Sequence, residues 1–124
     1  SDNEKAGIGD PCRYYLGDTW RLPTKAEYED LFKNQTELSS TSSPWKWEWE
    51  NSSATNTTSG LTFPASGFRS YDNGRLNSVG TSGYYWSASP YSAKSGYSLS
   101  FSTSGVIPSD DSFREFGYSV RCVK

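Results

Sequence analysis

Apolar and polar positions repeat along this chain with two different periods. Behind Thr24-Lys25-Ala26-Glu27, the residues Tyr28, Leu31 and Phe32 fall at i, i+3 and i+4, one apolar face of a helix. Threonine with glutamate three residues on is a capping box, so the helix begins at Thr24 and is expected to run to about Asn34. Upstream, Gly9-Asp10-Pro11 reads as a turn, and Trp20-Arg21-Leu22-Pro23 as extended chain because proline disfavours helix in the residue before it. Downstream the period becomes two. Trp45-Lys46-Trp47-Glu48-Trp49-Glu50 places three indoles on one face of a half-buried strand and three charges on the other. A Ser/Thr/Asn loop follows over residues 51–60, then short strands at 61–63 and 68–71, a turn at Asp72-Asn73-Gly74, and a strand at 84–88. Tyr97, Leu99 and Phe101 alternate with Ser98, Ser100 and Ser102, which turns the first set inward and the serines outward. Residues 118–123 alternate too and can pair with an N-terminal strand. The pattern predicts an α+β fold with a mainly antiparallel sheet.

Composition decides whether such a chain folds. With 124 residues it suits one domain, although only 33% of them are hydrophobic. Five Trp, nine Tyr and six Phe offset the shortage, since aromatic rings bury large areas while keeping polar edges. The net charge of -2 offers no basic footprint for nucleic acid, and no apolar run is long enough for insertion into a membrane. The start at Ser1, with no methionine anywhere, reads as a piece of something longer; residues 1–6 are a tail and 7–124 the domain. Cys12 and Cys122 are either two separate buried thiols or one disulfide joining the terminal segments, the latter implying an oxidising compartment.

Catalytic chemistry is hard to assemble from these residues. Without histidine there is no Ser-His or Cys-His nucleophile pair, and two cysteines alone make no zinc site. Asp110, Asp111 and Glu115 read as solvated loop carboxylates, and the spacing is not that of a calcium loop. Gly80-Thr81-Ser82-Gly83 lacks the lysine of a phosphate-binding loop. The chain is therefore expected to be no enzyme and to use no cofactor or metal. Between residues 87 and 118 the outward positions are instead Ser, Tyr, Thr, Gly, Asp and Phe, the mixture of rigid amphipathic rings and adaptable hydrogen-bonding groups that antibody-like paratopes use.

Five phrases make the chain more specific: Gly9-Asp10-Pro11-Cys12; Trp20-Arg21-Leu22-Pro23-Thr24 with Glu27; Leu61-Thr62-Phe63-Pro64-Ala65-Ser66-Gly67-Phe68-Arg69; Gly83-Tyr84-Tyr85-Trp86-Ser87-Ala88-Ser89; and Ser119-Val120-Arg121-Cys122-Val123. In their order and spacing they resemble the Fibrobacter succinogenes major paralogous domain family, common on exported proteins of Bacteroidetes. The resemblance implies a variant of the C-type lectin fold, akin to the formylglycine-generating-enzyme type, with paired terminal strands, one or two helices and a loop-rich ligand face. It also implies, for a subset of the family, variable proteins of diversity-generating retroelements, in which adenine-directed mutagenesis exchanges exposed side chains over a fixed scaffold. The fixed anchors would be Trp86-Ser87, Leu99 with Phe101, Pro108-Ser109, and Arg114 with Gly117. The exchangeable, ligand-binding positions would be Tyr91, Ala93, Ser98, Ser100, Ser102, Gly105, Ile107, Asp110, Asp111, Ser112, Phe113, Phe116 and Tyr118. The implied function is a surface-displayed adhesin or receptor-binding domain, monomeric within a larger extracellular protein or phage fibre, whose partner is a protein or glycan on another surface. A lectin-like module stacking sugars on Trp45, Trp47 and Trp49, or a structural domain of a pilus or fibre, is the alternative.

Overall fold

Asp10 starts the first element. Its carboxylate accepts from the N–H groups of Cys12 at 2.9 Å and Arg13 at 3.4 Å, while Pro11 occupies the first helical position, where no N–H is needed. The result is α1, Pro11–Leu16, where the chain pattern suggested only a turn. The same carboxylate accepts from the Leu22 N–H at 3.0 Å and so ties α1 to the next segment. The structure is a computed structural model that describes residues 10–33, 35–38, 44–113 and 116–124. The predicted tail and Asn34, Arg114 and Glu115 lie outside the described residues.

Helix α2, Lys25–Phe32, carries the expected capping box, with Thr24 Oγ1 accepting from the Glu27 N–H and the Glu27 carboxylate accepting from the Thr24 N–H. It stops at Lys33, whose left-handed backbone (φ 50°) ends the hydrogen-bond ladder, before the expected Asn34. Strands β1 (Trp45–Glu48), β2 (Ser53–Asn56) and β3 (Thr62–Pro64) form one antiparallel sheet in that order. Strands β4 (Phe68–Arg69) and β5 (Leu76–Asn77) make a hairpin around the expected Asp72-Asn73-Gly74 turn. The third sheet holds β6 (Ser82–Pro90), β7 (Ser95–Ser102) and β8 (Val106–Phe113), antiparallel with β7 central. The fold is α+β, with two helices and three small sheets among the described residues.

Two expectations need correction. The indole strand ends at Glu48: Trp45 and Trp47 are buried core residues, whereas Trp49 sits in the following turn, 75% exposed. Residues 106–113, read as polar loop, are a full strand. Its alternation is broken by a bulge opposite Leu99, where the register jumps from Ser98–Asp110 to Ser100–Ile107 and Pro108, lacking an N–H, is accommodated.

The core gathers between α2, the β1–β2–β3 sheet and one face of the third sheet, from Tyr28, Phe32, Trp45, Phe63, Tyr85, Leu99 and Phe101 among others. Three of its polar ring atoms are given to backbone carbonyls: Trp45 Nε1 donates to Leu31 at 3.1 Å, Tyr85 Oη to Pro64 at 2.7 Å, and Tyr28 Oη to Trp86 at 3.3 Å. The buried Trp47 Nε1 has no hydrogen-bond partner among the described residues. The termini meet as predicted in outline. Cys12 and Cys122 form a disulfide with Cα atoms 5.5 Å apart, and Arg21 and Val123 exchange backbone hydrogen bonds at 2.9 and 2.8 Å. The last segment is an isolated-bridge partner and not a regular strand.

Two predictions follow from this packing. A Cβ on Gly83 would stand 2.2 Å from the Phe101 ring, which is 3% exposed and cannot swing away. Gly83→Ala is expected to destabilise by about 1–3 kcal/mol or more in denaturant unfolding, and an unchanged midpoint would contradict this packing. Glu27 provides the second. The paired hydrogen bonds from Arg21, aided by those of Thr24, hold its carboxyl at about 2, below the ordinary 4.5. A lowered native value means a contribution that is complete above 4.5 and vanishes as pH falls through about 2. The stability advantage of wild type over Glu27→Gln should therefore shrink across that range; a constant difference would refute the assignment.

Candidate functional site

Strand β6 carries aromatic side chains on both faces. Tyr85 pairs with Leu99 on the core side, while Tyr84 and Trp86 pair with Ser100 and Ser98 on the other. An outer sheet face that met only water would not need Tyr and Trp there. It is covered by the C-terminal segment, which runs beside β6 through Ser119 N–H to Tyr84 C=O (2.9 Å) and Trp86 N–H to Ser119 C=O (3.1 Å). The segment also joins β4 through reciprocal bonds between Gly117 and Arg69 at 3.0 and 2.8 Å. Gly117 permits the approach, since an added Cβ would lie 2.9 Å from the Arg69 Cβ.

This places Phe116 and Tyr118 over the sheet. Tyr118 stacks on Trp86 (ring centroids 4.5 Å apart) and on Tyr84 (5.0 Å), and lies nearly parallel to Phe116 at 5.8 Å. Phe68 meets Tyr84 and Phe116 edge-on at 5.1 and 5.5 Å, and the exposed Tyr71 meets Phe116 at 5.2 Å. The Trp86 indole also packs close to Gly96, where a Cβ would come within 3.4 Å of it. A half-exposed aromatic ledge thus lies outside the core, on the far side of the third sheet.

Hydrogen-bonding groups surround it. Tyr118 Oη donates to Ser112 Oγ at 2.7 Å, and burial raises the Tyr118 hydroxyl above its ordinary value. Asp110 stands in the cross-strand row Trp86–Ser98–Asp110; partial burial raises its carboxyl, opposed by a bond from the Asp111 N–H. Beside the ledge an open cleft of about 610 Å3 is lined by Ser82, Tyr84, Ser100, Ser102, Gly105 and Ile107, among others. Among the described residues no group of three or more His, Cys, Asp or Glu side chains is assembled for a metal, and no helix is long and apolar enough to cross a membrane.

The positions predicted to bind ligand therefore separate into groups. Ser100, Ser102, Gly105 and Ile107 share the cleft, and Asp110, Ser112, Phe116 and Tyr118 belong to the ledge. Tyr91, Ala93, Asp111 and Phe113 lie at the far end of the sheet or on its other face, near Tyr97, over whose ring Lys25 Nζ sits at 4.8 Å. Ser98 is a correction. It points away from Leu99 as expected but is 0% exposed, enclosed in the row between Trp86 and Asp110, and its Oγ has no hydrogen-bond partner. It cannot touch a ligand. The ledge residues missed from the sequence are Phe68, Tyr71 and Tyr84, while Trp86 was read only as a fixed anchor. The available signal was Tyr84-Tyr85-Trp86: three consecutive rings cannot all face one side of a strand. The sugar-stacking alternative loses Trp45 and Trp47 to the core and keeps only Trp49.

Substitutions distinguish these roles. Ser98→Ala should be neutral within about 0.5 kcal/mol or stabilising, because it removes an unpartnered buried hydroxyl. Ser98→Tyr should cost about 1–3 kcal/mol or more from overpacking. Phe113→Ala, at a 53% exposed site, should leave stability within about 0.5 kcal/mol. Phe116→Ala should lose at least about 1 kcal/mol with its ring contacts. Thermal and denaturant unfolding of the four variants checks the set, and a tolerated Ser98→Tyr would refute the enclosed position.

Residues 45–123 match the family described as Domain of unknown function (DUF8237), a span that takes in every strand and the whole ledge. No curated protein and no solved structure matches the chain.

Proposed function

The chain belongs to the DUF8237 family, and we propose that it is a non-catalytic, surface-displayed domain that binds its ligand on the outer side of the β6–β7–β8 sheet. The observation that carries this reading is the aromatic ledge. Five half-buried rings and one exposed ring lie outside the core, three of them (Phe68, Tyr84 and Trp86) on strands β4 and β6 and the others on the β4–β5 turn and the C-terminal segment, with serine hydroxyls and one carboxylate beside them. Rigid amphipathic rings give contact area at little entropic cost, and small polar groups at the margin match a partner's hydrogen bonds. The core is complete without them, so side chains at Ser100, Ser102, Ile107, Asp110 and Ser112 are free to differ without emptying it.

That separation of scaffold and surface supports the further reading as a variable protein of a diversity-generating retroelement on a C-type lectin-like fold. The Cys12–Cys122 bond favours an oxidising, extracellular setting, on a bacterial surface or phage fibre, as part of an adhesin or receptor-binding protein. The exchangeable set proposed is the sequence-derived one without the enclosed Ser98 and the stacked Tyr118.

Display of a library randomised at Ser100, Ser102, Ile107, Asp110 and Ser112 tests the binding face. Most members are expected to fold and melt near the parent, and selection on unrelated protein and glycan targets should yield binders that depend on those positions. Widespread misfolding would reject the face. Retroelement exchange is tested separately in the flanking DNA, where a near-copy repeat differing at adenines is expected; its absence rejects the exchange mechanism alone.

A further inference from the structure

A second cleft, of about 490 Å3, opens between α2 and the C-terminal segment. None of the proposed exchange positions lines it. Leu31, Leu61 and Val123 wall it, above Tyr28 and Phe63, which are 0% and 1% exposed. One side chain breaks this apolar lining in a directed way. The Arg121 guanidinium lies over the Phe63 ring, 5.3 Å from its centroid, and Nη1 donates to the Thr62 carbonyl at 2.9 Å. Those two contacts fix the plane of the fork and, among the described residues, use one of its N–H groups.

Among the described residues no carboxylate lies within ion-pair distance of Arg121; the ion pairs join Arg13 with Asp18, Arg21 with Glu27, and Lys25 with Glu29. Two acids share the rim. Glu27 is held by Arg21 and Thr24 and is not available to a second cation, and Asp30 is exposed. The charge of Arg121 reaches the floor, where it favours ionisation of the Tyr28 hydroxyl against a larger effect of burial. A planar, weakly hydrated cation, oriented beside an apolar cleft of ligand size and without an ion-pair partner among the described residues, matches a carboxylate attached to an apolar body.

We propose that this cleft is a second binding site, taking a small monocarboxylate whose carboxylate meets the Arg121 fork and whose apolar body lies against Leu31, Leu61 and Val123. Charge-assisted, forked hydrogen bonding gives the head group its selectivity, and burial of the body gives the rest of the affinity. The site is independent of the ledge and of whatever the ledge binds.

Octanoate and octanol are the probes, followed by methyl NMR of the intact domain. Octanoate should shift the Leu31, Leu61 and Val123 methyl signals saturably, and bind about ten-fold or more tightly than octanol, the factor expected for hydrogen bonds to a charged group. Arg121→Gln should remove that preference, Arg121→Lys should retain part of it, and Asp30→Asn should strengthen octanoate binding alone. If Arg121 only capped Thr62, Arg121→Gln would lower the melting temperature and leave the octanoate-to-octanol ratio unchanged, which overturns the proposal. Should Arg121→Gln fail to fold, the wild-type ratio and the Asp30→Asn response still decide. Equal binding of the two probes, shifts confined to the ledge, or no saturable shift would each overturn it as well.

Discussion

Phe63 is the ring on which the fold depends. It meets Tyr28 and Phe32 of α2, Trp45 of β1 and Tyr85 of β6, at centroid distances between 5.1 and 6.3 Å, and lies under Arg121 of the C-terminal segment. The helix, two of the three sheets and the chain end are thus in contact through one side chain. A sequence with 33% hydrophobic residues has few aliphatic alternatives for that position. The same neighbourhood explains how so polar a chain tolerates aromatic packing. The two carbonyls flanking Phe63, those of Thr62 and Pro64, accept from Arg121 and Tyr85, so the outer margin of β3 is occupied by side chains and is not left open to another strand.

The second consequence is an asymmetric third sheet. Its inner face is sealed by Tyr85, Leu99, Phe101 and Val106. On its outer face the narrow C-terminal segment packs against Trp86 and Tyr84 and leaves their surroundings half-exposed. A sheet completed in this way has a stable back and an adjustable front. The segment that builds the front is held at both ends of its span: the Gly117–Arg69 bonds fix it to β4, and the Cys122 bond fixes it to α1.

Legibility from the sequence follows the strength of local signals. Helix α2 was clear because its capping box and its apolar face agree. The alternation of β7 was also clear, and it assigned the face of Ser98 correctly. Alternation reports which way a side chain points but not what lies above it, and Trp86 and Asp110 enclose Ser98 through pairings that are distant in sequence. Strand β8 was hidden because a bulge shifts its period and because Pro, Ser and Asp are poor strand formers. Helix α1 was missed although its signal was present, since an aspartate before proline marks a helix start as well as a turn. Trp49 shows the opposite error: a regular alternation continued past the point where the strand ends.

The ledge also sets which of its own members are free to change. Ser100 and Ile107 face each other across β7 and β8 and line the cleft without being part of any ring stack, so exchanging them alters the surface and little else. Tyr118 is different. It touches Trp86, Tyr84, Phe68 and Phe116, and its hydroxyl holds Ser112. Each such contact couples its identity to stability, because residues in contact do not vary independently in free energy. A position can serve as both scaffold and contact surface only while its alternatives preserve the stack. On this ground Tyr118 belongs to the platform, Phe116 stands between platform and surface, and the residues around the cleft carry the freedom that a changing ligand requires.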